Sequence, residues 1–175
     1  MSRYVAFLRG VGAARPATGD ALKACLGGAG YEGIRPVLAT GNVVFGLGCK
    51  RKAPDEAGLN ALIEGHFGYP LPAVLRRADA VAAMVGDDPF RGIDAANLTR
   101  FVALLAADAP PASAFPDPER GAGYRLLDRR ERDLLFVIDR TVIRTPDLMV
   151  KIERAFRKRV TTRNWSTMEK VAAVL

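Results

Sequence analysis

The chain has 175 residues, of which 49% are hydrophobic, and this supply of apolar side chains excludes a wholly disordered protein. No apolar run approaches the ~18–20 residues that span a bilayer, and the short apolar start lacks the features of a signal peptide, so we expect a cytoplasmic protein with no membrane partner. The net charge of +7 favours an anionic partner.

The first half of the chain has the pattern of one ferredoxin-like unit. Apolar periodicity and turn residues predict a strand at 3–9, a helix at 18–28 and a hairpin of two strands at 34–46. A second helix at 54–67 and a last strand at 72–76 follow. This β-α-β-β-α-β order is the split βαβ pattern. A short helix that begins at Asp79 follows. We therefore expect an N-terminal ferredoxin-like subdomain over residues 1–86.

The second half has a similar order of elements with weaker local signals. A strand is predicted at 98–106 and two more around a charged turn in 124–139, while the Pro- and Gly-rich segment 108–123 stands where a helix would be. Thr145-Pro146 begins a further helix. We expect a C-terminal ferredoxin-like subdomain over residues 87–175. The predicted fold class is α+β, with two ferredoxin-like subdomains, antiparallel sheets and an extra C-terminal helix.

The extra helix contains the single tryptophan of the chain. Steps of three and four residues place four apolar side chains on one helical face: Trp165, Met168, Ala172 and Leu175. The N-terminus of this helix is capped either by Thr162 or by a capping box of Ser166 and Glu169. In both cases Trp165 is predicted to point into the core.

Positive charge is concentrated near the C-terminus. Residues 151–170 contain seven Lys or Arg against two Glu, a balance of +5. Lys151, Arg154 and Lys158 would share one side of a helix, where they could bind phosphates through charge alone. The alternative is that these cations only solvate the outer face of that helix.

Three stretches of the sequence resemble a known bacterial family. They are RYVAFLRG at 3–10, TGNVVF at 40–45 and TTRNWSTMEKVAAV at 161–174, and the tripeptide DPF at 88–90 also fits. Together they resemble the domain-of-unknown-function family 1697. The resemblance implies two packed ferredoxin-like subdomains and implies no particular activity.

Two loops depart from the pattern of that family. Members usually have an Asn or Lys in the Gly-rich loop after the first strand, whereas this chain has Ala13, Ala14 and Arg15 within residues 10–19. Members also tend to have a Gly- and Ser-containing run before a lysine. Here the segment 145–151 keeps the lysine but has Leu-Met-Val before it. If these loops bind an anion through backbone N–H groups, this chain has lost part of that site.

Five polar residues are the candidates for a ligand-binding site: Arg9, Asn42, Lys151, Arg163 and Asn164. Arg9 ends the first strand, and Asn42 lies in the hairpin turn. Arg163 and Asn164 begin or precede the last helix, where backbone N–H groups add to their positive field. Three of these residues also have a purely structural interpretation. Asn42 could be a turn residue with positive φ, Arg163 could form a surface ion pair, and Asn164 could cap the helix locally.

Familiar catalytic, cofactor and metal motifs are absent from the sequence. It has no P-loop, no GxSxG turn and no HExxH. His66 is the only histidine, and Cys25 and Cys49 are widely separated, so we predict neither a metal nor a cofactor. Neither sheet has the basic-Gly-aromatic order of an RNA-recognition strand, which disfavours that type of RNA binding.

Three hypotheses about function follow from the sequence. The first is a binding module for an anionic partner, either nucleic acid or a phosphorylated small molecule, that uses the basic C-terminal surface. The second is an enzyme acting on a small anionic substrate, with Arg9, Lys151 and Arg163 as electrostatic clamps. The third is a protein-interaction domain without a ligand site. We prefer the first.

Overall fold

The chain folds into two compact α+β units. The computed structural model describes residues 2–48, 52–93 and 95–175; Cys49 and its neighbours Lys50 and Arg51 lie outside these residues. The first unit comprises Met1–Gly86 with Glu169–Leu175, and the second comprises Asp87–Met168. Each unit contains one four-stranded antiparallel sheet. No helix in the described part of the chain is long and apolar enough to cross a membrane.

The first unit has the predicted β-α-β-β-α-β order followed by a short helix. Its elements are β1 (Arg3–Leu8), α1 (Gly19–Gly28), β2 (Tyr31–Val37), β3 (Asn42–Leu47), α2 (Glu56–Phe67), β4 (Ala73–Arg77) and α3 (Ala78–Gly86). The sheet order is β2-β3-β1-β4. The Thr18 and Asp55 side chains cap α1 and α2 by accepting backbone N–H bonds of 3.2 and 2.7 Å. Helix α1 therefore begins at its predicted cap, whereas α2 begins two residues later than the predicted start at 54.

The second unit repeats the strand arrangement with one helix fewer. Its elements are β5 (Leu98–Leu105), β6 (Tyr124–Arg129), β7 (Asp133–Asp139), α4 (Thr145–Ala155), β8 (Val160–Asn164) and the start of α5 (Trp165–Ala172). The sheet order is β6-β7-β5-β8, equivalent to that of the first unit. A single 3-10 turn at Ala112–Ala114 stands in place of the first crossover helix, because the prolines in this segment disfavour a longer helix. The α+β fold class with two ferredoxin-like subdomains is thus confirmed.

Aromatic side chains occupy the centre of each core. In the first unit the ring centroids of Tyr31 and Phe45 are 4.8 Å apart. In the second, Phe136 stacks on Phe101 at 5.0 Å and meets Phe115 edge-on at 5.3 Å. Both faces of the central strands are buried, which explains why β1 and β5 are apolar runs rather than alternating ones.

The start of the last helix differs from the prediction. Residues Val160–Asn164 form β8, which pairs with β5 so that Phe101 lies opposite Asn164, and α5 begins directly at Trp165. Thr162 is therefore a strand residue and not a helix cap, and Ser166 lies within the helix. The β-branched run Val160-Thr161-Thr162 favours the extended backbone. Trp165 is 2% exposed, as expected for a core residue.

Candidate anion-binding site

Helix α4 positions the most basic part of the second unit. Its apolar side chains Leu148 and Ile152 are fully buried, while Lys151 and Arg154 point to solvent on the other side. Pro146 occupies the first turn, where a missing N–H costs nothing. This amphipathic pattern fixes the rotation of the helix, and so it also fixes the direction in which the two cations project.

The chain leaves the helical path directly after α4. Arg157 and Lys158 have left-handed backbone, with φ of 50° and 62°, and the Lys158 N–H donates to the Glu153 carbonyl at 2.8 Å. Lys158 is therefore outside the helix, and the prediction that it shares a helical side with Lys151 and Arg154 is wrong. Two non-glycine residues in this conformation cost about 1 kcal/mol or more each. Their side chains are exposed at the end of the helix.

Four exposed cations at this end of α4 form what we call the basic cluster: Lys151, Arg154, Arg157 and Lys158. In the described part of the chain none of the four makes an ion pair with a carboxylate. Some other arginines of the same unit are paired, as in Arg129 with Asp117 at 2.7 Å and Arg144 with Asp147 at 3.0 Å. Arg159, next in sequence, pairs with Asp108 at 3.4 Å. Four exposed cations without an ion pair thus lie within eight residues of one another at this end of α4.

A cleft of about 420 Å³ lies beside this cluster, and we call it the α4 cleft. Its lining consists of Phe115, Pro116, Asp117, Glu119, Ala122, Tyr124, Lys151, Arg154 and Ala155. The Lys151 ammonium lies 5.9 Å from the Tyr124 ring centroid, within cation–π range. Burial, and secondly the charge of Glu119, raises the pKa of the Tyr124 hydroxyl. The cleft therefore combines cations, carboxylates and aromatic carbon.

Among the predicted site residues of the second unit, only Lys151 lines this cleft. The Arg163 guanidinium donates to the Thr161 hydroxyl and the Thr162 carbonyl, both at 2.8 Å, and burial lowers the pKa of Arg163 to about 10. Asn164 is exposed at the end of β8. In the described chain Lys151 has no hydrogen bond or ion pair with either residue. The structure instead groups Lys151 with Arg154 and Tyr124.

The two predicted site residues of the first unit lie near its β2–β3 turn and at the end of β1. Asn42 is 0% exposed, and its amide donates to the Val37 carbonyl and the Thr40 hydroxyl at 3.0 Å each. It therefore stabilises the turn, while the positive φ values occur at Leu38 and Gly41. Arg9 is half-buried, and its backbone N–H donates to the Pro72 carbonyl at 2.7 Å.

The cysteine and metal chemistry of the described residues is limited. Cys25 is buried, and burial raises the pKa of its thiol, which makes the thiolate rare. No group of three His, Cys, Asp or Glu side chains comes together to hold a metal ion anywhere in the described ranges.

The cleft itself could not be predicted from the sequence. Phe115 and Glu119 come from the segment that the prolines mark only as a loop, whereas Tyr124 begins a predicted strand. All three meet α4 only through tertiary packing. The one local signal is Tyr124, an aromatic residue directly after the Gly121-Ala122-Gly123 turn, whose two glycines have positive φ.

Fold and site together define a protein of two ferredoxin-like units with a basic cleft on the second. The chain belongs to the family DUF1697, described as a protein of unknown function, whose model matches residues 1–123. It is also similar to the structure of the conserved bacterial protein SP0830 from Streptococcus pneumoniae, with a TM-score of 0.63 and 15% sequence identity, covering 99% of this chain and 98% of that one. That likeness shows the fold alone. No curated protein matches the chain.

Proposed function

We propose that the protein binds a phosphate-bearing partner through the basic cluster at the end of α4. The observation that carries the proposal is that Lys151, Arg154, Arg157 and Lys158 are exposed and make no ion pair in the described chain, whereas Arg144 before them and Arg159 after them do. Phosphate oxygens are strong acceptors for Lys and Arg donors, and such contacts gain further from the release of counterions.

Stabilisation of the helix end does not account for four cations. The C-terminus of a helix is equivalent to roughly half a negative charge, which one basic residue in the last turn satisfies. Arg154 already occupies that turn. With Glu153 counted, residues 151–158 still have four positive charges against one negative. This excess supports an external anion as the partner.

Two sources of phosphate fit the cluster, and one experiment separates them. Fluorescence anisotropy would measure binding to a short labelled oligonucleotide, single-stranded and duplex, and calorimetry would measure binding to inorganic phosphate and to phosphorylated small molecules. A nucleic-acid partner predicts affinity that falls steeply between about 50 and 200 mM salt, with a slope of about 0.9 per phosphate contact on a duplex. A small-molecule partner predicts binding of the monomeric compounds with weak or no oligonucleotide affinity.

The variant K151Q/R154Q/R157Q/K158Q tests whether the cluster is responsible. It should abolish binding of either source of phosphate. The matched control is K23Q/R77Q/R91Q/R144Q, which removes the same charge from exposed cations that already have carboxylate partners. If both variants lose the same affinity, the binding depends on net charge and not on the cluster, which would overturn the proposal. Absence of any phosphate binding by the wild-type protein would also overturn it.

A further inference from the structure

We infer that the α4 cleft binds a single nucleotide-like molecule, meaning a phosphomonoester attached to a flat aromatic ring that bears an amino group. The inference rests on the proposed phosphate binding and names its ligand class. It is carried by three walls of the cleft with different chemistry: a basic wall on α4, an aromatic floor, and an acidic wall on the loop before β6.

The basic wall consists of Lys151 and Arg154. These residues are three positions apart on α4, so their side chains lie next to each other on one helical face. Both line the cleft, whereas Arg157 and Lys158 of the basic cluster do not. The cluster is therefore divided into two cations that face a cavity and two that face open solvent. A small phosphate ester in the cleft would depend on the first pair alone.

The aromatic floor of the α4 cleft offers an apolar surface on which the aromatic ring of the ligand could lie. Phe115 is 2% exposed and packs edge-on against Tyr124 at 6.2 Å, so the floor is held in place by the core beneath it. Pro116, Ala122 and Ala155 complete the apolar lining. The volume of about 420 Å³ lies in the range of ligand pockets, about 300–1,000 Å³. A cavity of this size suits one nucleotide and not a polymer.

The acidic wall orients the ligand. Asp117 is already paired with Arg129 at 2.7 Å, but Glu119 has no ion pair among the described residues. The Glu119 carboxylate would repel a phosphate and would accept a hydrogen bond from an amino group, as carboxylates do from the amino groups of bases. The phosphate would therefore lie against α4, with the ring extending across Tyr124 towards the acidic wall.

Titration calorimetry with four compounds tests the ring and the phosphate separately. The compounds are adenosine 5′-monophosphate, ribose 5-phosphate, adenosine and inorganic phosphate. Stacking of one base on aromatic side chains predicts that adenosine 5′-monophosphate binds about tenfold or more tightly than ribose 5-phosphate. Equal affinity for these two compounds would overturn the inference, since it would show that contacts between the cleft and the aromatic ring add nothing to the binding affinity.

Two matched double variants separate the inference from the proposal on which it rests. K151Q/R154Q should lose at least tenfold in affinity for adenosine 5′-monophosphate, while R157Q/K158Q should change it by less than about twofold, although both remove two charges. If the two variants lose this affinity equally, the ligand lies outside the cleft and the inference fails. If the wild-type protein binds oligonucleotide but none of the small phosphates, the inference fails and the proposed function stands. If it binds neither, both fail.

Variants that fill the cleft provide a test independent of charge. A155L would narrow the cavity from the α4 side, and A122L would narrow it from the loop before β6. Both variants should lower the affinity for adenosine 5′-monophosphate at least tenfold and leave the affinity for inorganic phosphate unchanged. V150L, on the exposed part of the same helix outside the cleft, is the control and should leave both affinities unchanged. Full affinity in A155L and A122L would overturn the inference.

Discussion

The ring centroids of Trp165 and Phe90 lie 4.8 Å apart, with the planes inclined at 61°. Phe90 is 0% exposed and Trp165 is 2% exposed. This edge-on contact joins two stretches that carry the family resemblance, DPF at 88–90 and the C-terminal TTRNW. The aromatic residue of each stretch is therefore explained by packing within the second unit, and the tryptophan is a core residue.

Loss of the Trp165 ring should destabilise the second unit strongly. W165A removes a buried aromatic side chain, and we expect a loss of about 3–5 kcal/mol in the free energy of unfolding. Urea denaturation followed by circular dichroism measures it, and V150A on the exposed face of α4 is the control, with an expected change within about 0.5 kcal/mol. The single and double variants of W165L and F90L should show a coupling of about 0.5–1.5 kcal/mol. Strict additivity would contradict the contact.

The order of elements in the first unit was predictable, whereas β8 was not. Strand β1 is an apolar run, β4 begins with three apolar residues, and helices α1 and α2 have capping residues, so local sequence suffices there. Strand β8 is five residues long, largely polar, and lies at a sheet edge. It is extended because it pairs with β5, about sixty positions earlier in the chain. Local propensity does not contain that pairing.

The candidate site divides in the same way. Clustered charge identified Lys151 and its neighbours, because charge is visible in the sequence. Burial cannot be seen in the sequence. The structure buries Asn42 next to a turn, and it places the Arg163 guanidinium against hydrogen-bond acceptors of its own strand. The aromatic floor of the α4 cleft likewise depends on packing between distant segments.

Replacing Asn42 should reduce stability through its turn. The Asn42 amide is buried and donates to Val37 and Thr40, so N42A leaves a buried carbonyl without this donor, and we expect a loss of about 1–3 kcal/mol. T40A removes one acceptor at an exposed position and should cost about 1 kcal/mol or less. Urea midpoints of the two variants measure the difference. An unchanged midpoint in N42A, together with weaker phosphate binding, would support a ligand role instead.

The acid sensitivity of the protein should depend in part on Asp139. Its carboxylate accepts bonds from the Thr141 hydroxyl at 2.6 Å, the Thr141 N–H at 2.9 Å and the Asn97 amide at 3.0 Å. These bonds lower the pKa of Asp139 below its ordinary value of 3.8. Because the folded-state pKa is the lower one, the stabilisation is present above pH 3.8 and is lost as the pH falls through the folded-state pKa.

D139N should therefore lose less stability than the wild-type protein between neutral pH and pH 3. T141V removes the hydroxyl, the largest contributor to the shift, and should give an intermediate dependence. Urea midpoints measured across this pH range provide the comparison. Parallel curves for the wild-type protein and D139N would show that the carboxylate is not responsible.

Gly41 should tolerate no side chain, for two separable reasons. Its φ is 76°, and an added Cβ would lie 2.7 Å from Val11 Cγ2 and 2.9 Å from Leu8 Cβ. The conformational strain costs about 1–2 kcal/mol and the overlap about 1–3 kcal/mol more, so we expect G41A to lose about 2–5 kcal/mol. G10A has the same φ of 76° with nothing within 4 Å, and should show the strain alone. G12A has neither problem and should change stability by less than about 0.5 kcal/mol. Urea midpoints that fall in the order G12A, G10A, G41A would confirm both contributions, and equal midpoints for G10A and G41A would exclude the overlap with Val11 and Leu8.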